Sequence, residues 1–420
     1  MKKTLKVTLQ NLLNANLFVS TGCTEPIAIA YASSKARELL GEEPASIIVK
    51  LSGNMAKNAM DAGVPGSKHV GAAYVSALGA LFADNAKGFE LLAGISEECQ
   101  DKAYEFSTLN VKVEIADTSK QLYIEVVVHG ACNVAKVIVC DNHTNIQCME
   151  RNGEVVFGSF NNESSSDDIH NDDTNVSFTV KDVFDFVNEM NDFSVFRKAI
   201  CLNKALSEEG MAKDWGLNVG KIKPFGEDTI QSRIVSVTTA AVDARMSGAE
   251  VPAMACTGSG NQGITVTLPV YQLGKELGKN DAEIEKAVAI AVMCTIYVKK
   301  NLNVLSHLCG AVIASSGASA GMTYLLGGDY RAVEYAIKNV LASVVGMFCD
   351  GAKSTCALKV SACVNMAIHA ANLAMTESGR LTDKVGICSE SLDKTVHNIA
   401  KIEKNSSNIM EETILSIMTE

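Results

Sequence analysis

The sequence predicts an α+β protein of two domains: an α+β domain with a mostly antiparallel sheet over residues 1–175, and an all-α domain over residues 176–420. Three observations carry this reading. Segments of alternating polarity, rich in β-branched residues, crowd into residues 45–160. From about Val180 onward the apolar residues recur at helical spacing instead. Between the two regimes runs SFNNESSSDDIHNDDTN, residues 159–175, polar and acidic with almost nothing to bury, as a loop or linker has.

The elements follow in order. Leu5, Leu9, Leu12, Leu13 and Leu17 fall near helical spacing, so the N-terminus reads as an amphipathic helix. A small-residue helix is expected over Ile27–Leu40, capped by Thr24 and with Pro26 in its first turn, where a missing N–H costs little. Strands are expected at Ser46–Leu51, Leu109–Ala116, Leu122–Val128, Ala135–Cys140 and Val155–Gly158, separated by polar turns such as Asp117–Lys120 and Asp141–Thr144. Helices over about Val70–Asp84 and Ser96–Phe106 lie between the first two strands. In the second half, Val183, Phe184, Val187 and Met190 start the helical pattern. Ile230–Met246, Asp281–Val298, Arg331–Phe348 and Leu358–Met375 continue it through short loops that carry Gly.

Composition bounds the function. A net charge of −11 with no concentrated basic stripe argues against nucleic acid as a partner, because phosphate binding needs surface Lys and Arg. Gln10, Asn11, Asn14 and Asn16 break up any signal-peptide core. The longest apolar run, Ala287–Val298, falls short of the about 20 residues a bilayer demands, so no membrane partner is expected. These readings point to a cytoplasmic protein, with a homodimer as the default assembly. Thirteen cysteines, an odd number, are then free thiols rather than disulfides, and most should be small buried hydrophobes.

Four places put Cys or Gly in unusual company. The first is Ser-Thr-Gly-Cys-Thr-Glu-Pro, residues 20–26, at the start of the small-residue helix. Such an end offers free N–H groups to a carboxylate, and it lowers the pKa of a thiol placed beside it, here Cys23. A plain capped helix with an incidental Cys accounts for the same residues. The second is Cys256-Thr257-Gly258-Ser259-Gly260-Asn261-Gln262-Gly263, whose glycines let the backbone approach a ligand. No Gly-Lys-Ser/Thr follows, and no strand is expected before it, so neither a Walker loop nor a dinucleotide fold is indicated; a tight interhelical loop fits equally. The third and fourth are His307-Leu308-Cys309-Gly310 and Cys349-Asp350-Gly351-Ala352-Lys353-Ser354-Thr355-Cys356. No CxxC pair is present, so zinc-ribbon spacing is absent. Iron–sulfur clusters accept Cys from scattered segments, while three structural thiols remain the commoner outcome.

Taken together with Gly53-Asn54-Met55-Ala56-Lys57-Asn58-Ala59-Met60-Asp61-Ala62-Gly63-Val64-Pro65-Gly66, these segments resemble the L-cysteine desulfidase family, first catalogued as uncharacterised proteins. That family is related to the iron–sulfur-dependent bacterial L-serine dehydratases, and the similarity runs along nearly the whole chain. The resemblance implies a serine-dehydratase-beta-like domain followed by an all-helical alpha-like domain. It implies a [4Fe–4S] cluster held by Cys309, Cys349 and Cys356, and a small amino acid as substrate. The interval between Cys349 and Cys356 is shorter than the dehydratase pattern and suits the desulfidase group. Cys23 stands near the position of the dehydratases' catalytic His, which favours a thiol-handling enzyme.

The expected reaction is α,β-elimination of L-cysteine to pyruvate, ammonia and sulfide, with a cluster iron as Lewis acid. Cys23 is the expected base. Thr21, Gly22, Thr24, Gly258, Ser259 and Gly260 are expected to orient the substrate, with Asn54 as a further hydrogen-bonding group. His307 reads as a packing histidine before a tuning one, and Asp350 as a support of the cluster or a helix cap. Two rivals stand beside this: an L-serine dehydratase with the same cluster, and a non-catalytic iron–sulfur sensor.

Overall fold

The computed structural model describes residues 3–160, 177–302, 306–380 and 385–420. The polar segment read as a linker falls almost wholly outside the described residues. The chain is mixed α+β and dominated by helices, with a mostly antiparallel sheet.

Helix α1 (Lys3–Asn16) runs directly into a short strand β1 (Leu17–Ser20), and the small-residue helix α2 spans Thr24–Leu40. Next come β2 (Ser46–Leu51), α3 (Gly53–Ala59), α4 (Ala72–Phe82) and α5 (Glu97–Asn110). Strands β3 (Val111–Ile115), β4 (Tyr123–His129), β5 (Val134–Cys140), β6 (Ile146–Arg151) and β7 (Glu154–Gly158) complete a sheet of order β3-β2-β4-β5-β6-β7. Only the β2–β3 pair is parallel, because α3, α4 and α5 carry the chain across between them. The alternation of Ile47, Val49 and Leu51 aims those side chains at Ala28, Ala32 and Ala36 of α2 in one shared core. Alanines on that helix face let it lie close on the sheet. Helix α4 packs closely on α2, with Gly79 directly over the Ala30 backbone.

Strand β6 was not expected. Its sequence, IQCMER, lacks the β-branched enrichment of its neighbours, and pairing with Val137 and Ile138 of β5 is what holds it extended.

The helical part comprises α6 (Val180–Asn188), α7 (Ser194–Ala212), α8 (Ile230–Met246), a strand β8 (Ala253–Cys256), α9 (Gly260–Glu276), α10 (Asp281–Lys299), α11 (Gly310–Leu325), α12 (Tyr330–Val344), α13 (Cys356–Ala374) and α14 (Leu392–Thr419). Three of these helices start in reciprocal capping boxes, Thr179 with Asp182, Thr229 with Ser232 and Asn280 with Glu283. Each such cap satisfies orphan N–H groups and is worth about 1 kcal/mol. Helix α11 is buried on nearly every side, and Gly317 and Gly321 let it approach the α10 backbone at Ala291 and Ala287.

Two features differ from the sequence reading. Leu9, Leu12, Leu13 and Leu17 pack in the core of the helical part rather than beneath the six-stranded sheet. The reason is β1, which pairs antiparallel with β8, Leu17 opposite Cys256 and Ser20 opposite Ala253. A strand therefore does precede the Gly-rich loop. It belongs to a two-stranded ribbon and not to a parallel nucleotide-binding sheet. Among the described residues no helix is long and apolar enough to cross a membrane.

Candidate active site

Close backbone approaches show where the five motifs meet. A Cβ on Gly22 would fall 2.7 Å from Pro65 Cγ, so the Thr-Gly-Cys loop rests on the Val-Pro-Gly turn. Gly63 in turn abuts the end of α8 at Met246 O and Gly248 N, each 2.6 Å from such an added carbon. A Cβ on Gly310, next to Cys309, would lie 3.0 Å from the Gln262 side chain of the Gly-rich loop. Gly351 lies against the carbonyl of Lys57 in α3. Segments more than 300 residues apart in sequence thus share one site.

The cysteine segments are stitched to each other. Cys309 N donates to Met347 O at 2.9 Å and Cys349 N to His307 O at 2.7 Å, around an antiparallel bridge between Leu308 and Phe348. Cys309 caps α11 and Cys356 opens α13. Gly351, at φ +96°, turns the chain back between Cys349 and Cys356, so these two are joined by a loop rather than by helical turns. Burial pushes the Cys309 thiol well above its usual pKa, and Cys349, Cys363 and Cys356 add to that push. The three predicted ligands therefore lie within electrostatic reach of one another. All are free thiols.

Among the described residues no group of three or more His, Cys, Asp or Glu side chains converges on a single metal ion. The donor set nevertheless suits an iron–sulfur cluster, whose cysteines hold the corners of a cage rather than one point. Lys359, paired with Asp350 and donating to Phe348 O at 2.9 Å, places a cation beside these thiols. Asp350 also pairs with Lys353 at 2.7 Å. It is held by these two lysines, and the cap of α13 is Thr355.

Cys23, not Thr24, is the residue that precedes α2, and it makes no side-chain cap. Thr24 uses its hydroxyl on Glu25 Oε2 (3.0 Å) and on Gly258 O (3.2 Å), which ties the first motif to the Gly-rich loop. Burial pushes the Cys23 thiol up to about 11, with Arg245 pulling down and Glu25 and Cys356 pushing up. A helix start lowers a thiol pKa, but in this buried setting desolvation outweighs it. Ser259 precedes α9 and its carbonyl accepts from Cys256 N at 3.1 Å. Thr21, Gly22 and Gly260 are buried beside these groups.

Asn54 sits on α3 and donates to Glu411 of α14, leaving its own Oδ1 buried without a partner among the described residues. His307 is buried, with Ser407 Oγ 3.3 Å from Nδ1 and Ser406 Oγ 3.4 Å from Nε2. Burial, and then Lys57, hold it below its ordinary pKa, which matches a packed neutral histidine.

Two residues escaped the sequence reading. Arg245, in the last turn of α8, reaches Gly22 O at 2.7 Å and Asn261 Oδ1 at 3.0 Å. A lone Arg at the end of an apolar helix reads as a complement to the helix dipole, so nothing singled it out. His143 lies in the β5–β6 turn, buried, with its charge state pulled down by desolvation and up by Glu25 of the first motif. Its position in a polar turn hid it.

The model of the family "Serine dehydratase alpha chain" matches residues 87–418, and the chain belongs to that family. Full-length relatives agree. A UPF0597 protein of Clostridium perfringens is 39% identical over 418 residues, covering 97% of each chain. One from Parabacteroides distasonis is 35% identical over 425 residues, 99% of this chain and 98% of that one. Another from Clostridium tetani is 34% identical over 411 residues, 97% of each.

Proposed function

We propose that this protein is a carbon–sulfur lyase that converts L-cysteine to pyruvate, ammonia and sulfide, using a [4Fe–4S] cluster on Cys309, Cys349 and Cys356. The observation that supports it most is that the segments carrying Cys309 and Cys349 are hydrogen-bonded to each other, while the loop carrying Cys23 is held by a buried cation, Arg245, through Gly22 O. When bound, the cluster supplies one iron without a protein ligand, a Lewis acid suited to a sulfur leaving group. Thirteen free cysteines suit a reducing cytoplasm.

The protein's own part is proton transfer and orientation. Cys23 Sγ takes the Cα proton; the released electron pair forms the Cα–Cβ double bond, and the Cβ–S bond breaks to release hydrosulfide. The aminoacrylate tautomerises, and water hydrolyses the resulting imine to pyruvate and ammonia. Thr24 and Gly258 lock the loop that carries Cys23 onto the Gly-rich loop. Burial of Thr21, Cys23 and Thr24 keeps water from the thiol.

Because Cys23 is held at about 11, its basic form is scarce at neutral pH and grows with pH. Turnover limited by Cys23 should therefore rise about tenfold per pH unit from pH 7 to 9, without a plateau. Sulfide and pyruvate release, followed anaerobically in that range, checks it; a flat profile removes Cys23 as the base. The family name favours L-serine as the competing substrate. Pyruvate from L-serine exceeding that from L-cysteine at equal concentration would make it the substrate.

A further inference from the structure

Arg245 has more charge than its surroundings answer. It is 4% exposed, on a helix end enclosed by three of the site segments. Its hydrogen-bond partners are neutral: the Gly22 carbonyl at 2.7 Å and the Asn261 side-chain oxygen at 3.0 Å. Its Nε is buried with no hydrogen-bond partner among the described residues. Among the described residues no carboxylate stands within ion-pair distance of it. The acid of the first motif, Glu25, is engaged by Thr24 and Asn58 at 3.0 Å each.

Other arginines of the chain show the usual solution. Arg197 and Arg233 are less buried, yet each grips a carboxylate with two nitrogens, Glu285 at 2.6 and 3.0 Å and Glu276 at 2.8 and 2.7 Å. A guanidinium presents a planar fork that matches a carboxylate, and burying one without a counter-anion is costly. The fold also makes room for the unanswered charge. Gly260 lies directly against the guanidinium, where any Cβ would overlap Nε and Cζ. Cys356, a proposed cluster ligand, lies within electrostatic reach of it.

We infer that Arg245 receives the substrate's α-carboxylate, so that the enzyme takes free α-amino acids and refuses the corresponding amines, amides and esters. The choice of L-cysteine rests on the elimination reading above, whereas the carboxylate assignment rests on Arg245 alone. The carboxylate would supply the missing acceptor for Nε and neutralise the buried cation. It would also fix the substrate beside the loop of Cys23, whose neighbour Gly22 the same guanidinium holds. Amino acids and amides are thereby distinguished at a residue with no Schiff base or metal of its own.

The test is equilibrium binding of L-alanine and L-alaninamide, neither of which carries a β leaving group, to anaerobic iron-reconstituted protein by calorimetry. Wild type is expected to prefer L-alanine by about 10²-fold or more, since the amide leaves the buried cation unanswered. R245M should lose that preference through weaker binding of L-alanine, with L-alaninamide little changed. R245Q, which retains polar groups for Gly22 O, should behave as R245M does and serves if R245M does not fold. Three results overturn the assignment: no preference in wild type, a preference that survives in both variants, or an equal loss for both ligands in folded variants. The last would make Arg245 a structural support of Gly22. Intact preference in wild type together with no sulfide from L-cysteine would remove the carbon–sulfur lyase reading and leave the carboxylate assignment standing.

Discussion

The six-stranded sheet and the site where the five motifs meet treat charge in opposite ways. Along the sheet, Lys50 pairs with Glu125 at 3.0 Å, Lys136 with Glu150 at 2.7 Å and Lys120 with Asp141 at 3.2 Å. Each charge faces its opposite across neighbouring strands or a turn, and solvent reaches the pairs. At the site, among the described residues, Arg245 has no carboxylate within ion-pair distance, Cys23 and Cys309 are buried thiols with raised pKa, and Asn54 leaves an oxygen unpaired. A fold that needed only stability would remove such groups, since each costs free energy where it stands. Satisfied charges build the sheet, while unsatisfied ones mark where a ligand completes the structure.

This contrast can be broken by substitution, with the largest effects at the site. Cys309→Ser, Cys349→Ser or Cys356→Ser should abolish turnover and bound iron together. Iron content and visible absorbance of anaerobically reconstituted protein measure this directly; full iron in all three variants would contradict the ligand assignment. Cys23→Ala should keep iron and lose about 10²–10⁴-fold in turnover, the usual share of a positioned base. An unchanged rate would return Cys23 to the role of a buried hydrophobe.

Smaller effects are expected in stability. Gly263→Ala puts a methyl into the Met254 carbonyl beneath the Gly-rich loop, and should cost about 1–3 kcal/mol in denaturant unfolding. At the far end, Lys136→Ala should cost at most about 1 kcal/mol, because its pair with Glu150 is partly solvated. If the sheet variant lost more than the loop variant, the comparison between the two regions would be inverted.

Much of the molecule was legible before its structure. The strands expected at Ser46–Leu51, Leu122–Val128 and Ala135–Cys140 form at Ser46–Leu51, Tyr123–His129 and Val134–Cys140, and the helices expected at Ile230–Met246 and Asp281–Val298 form there too, whereas α3, α7, α9, α11 and α14 were not read. Four of the five motifs were visible as unusual placements of Cys or Gly, and the fifth, residues 53–66, stood out only through the family resemblance. What was not legible depended on partners remote in sequence. Leu9 and Leu13 signalled a helix but not the core they join, which the β1–β8 pairing decides. The polar stretch of α14 gave no sign that Glu411 reaches Asn54. Arg245 looked like a routine helix end until Gly22, Asn261 and Gly260 were seen around it.

The most direct test of the central claim is sulfide and pyruvate release from L-cysteine by protein purified and reconstituted with iron without air. The account predicts equimolar products from the wild type, lost on exposure to oxygen and absent in Cys349→Ser. No release from a preparation that carries its full iron would contradict it.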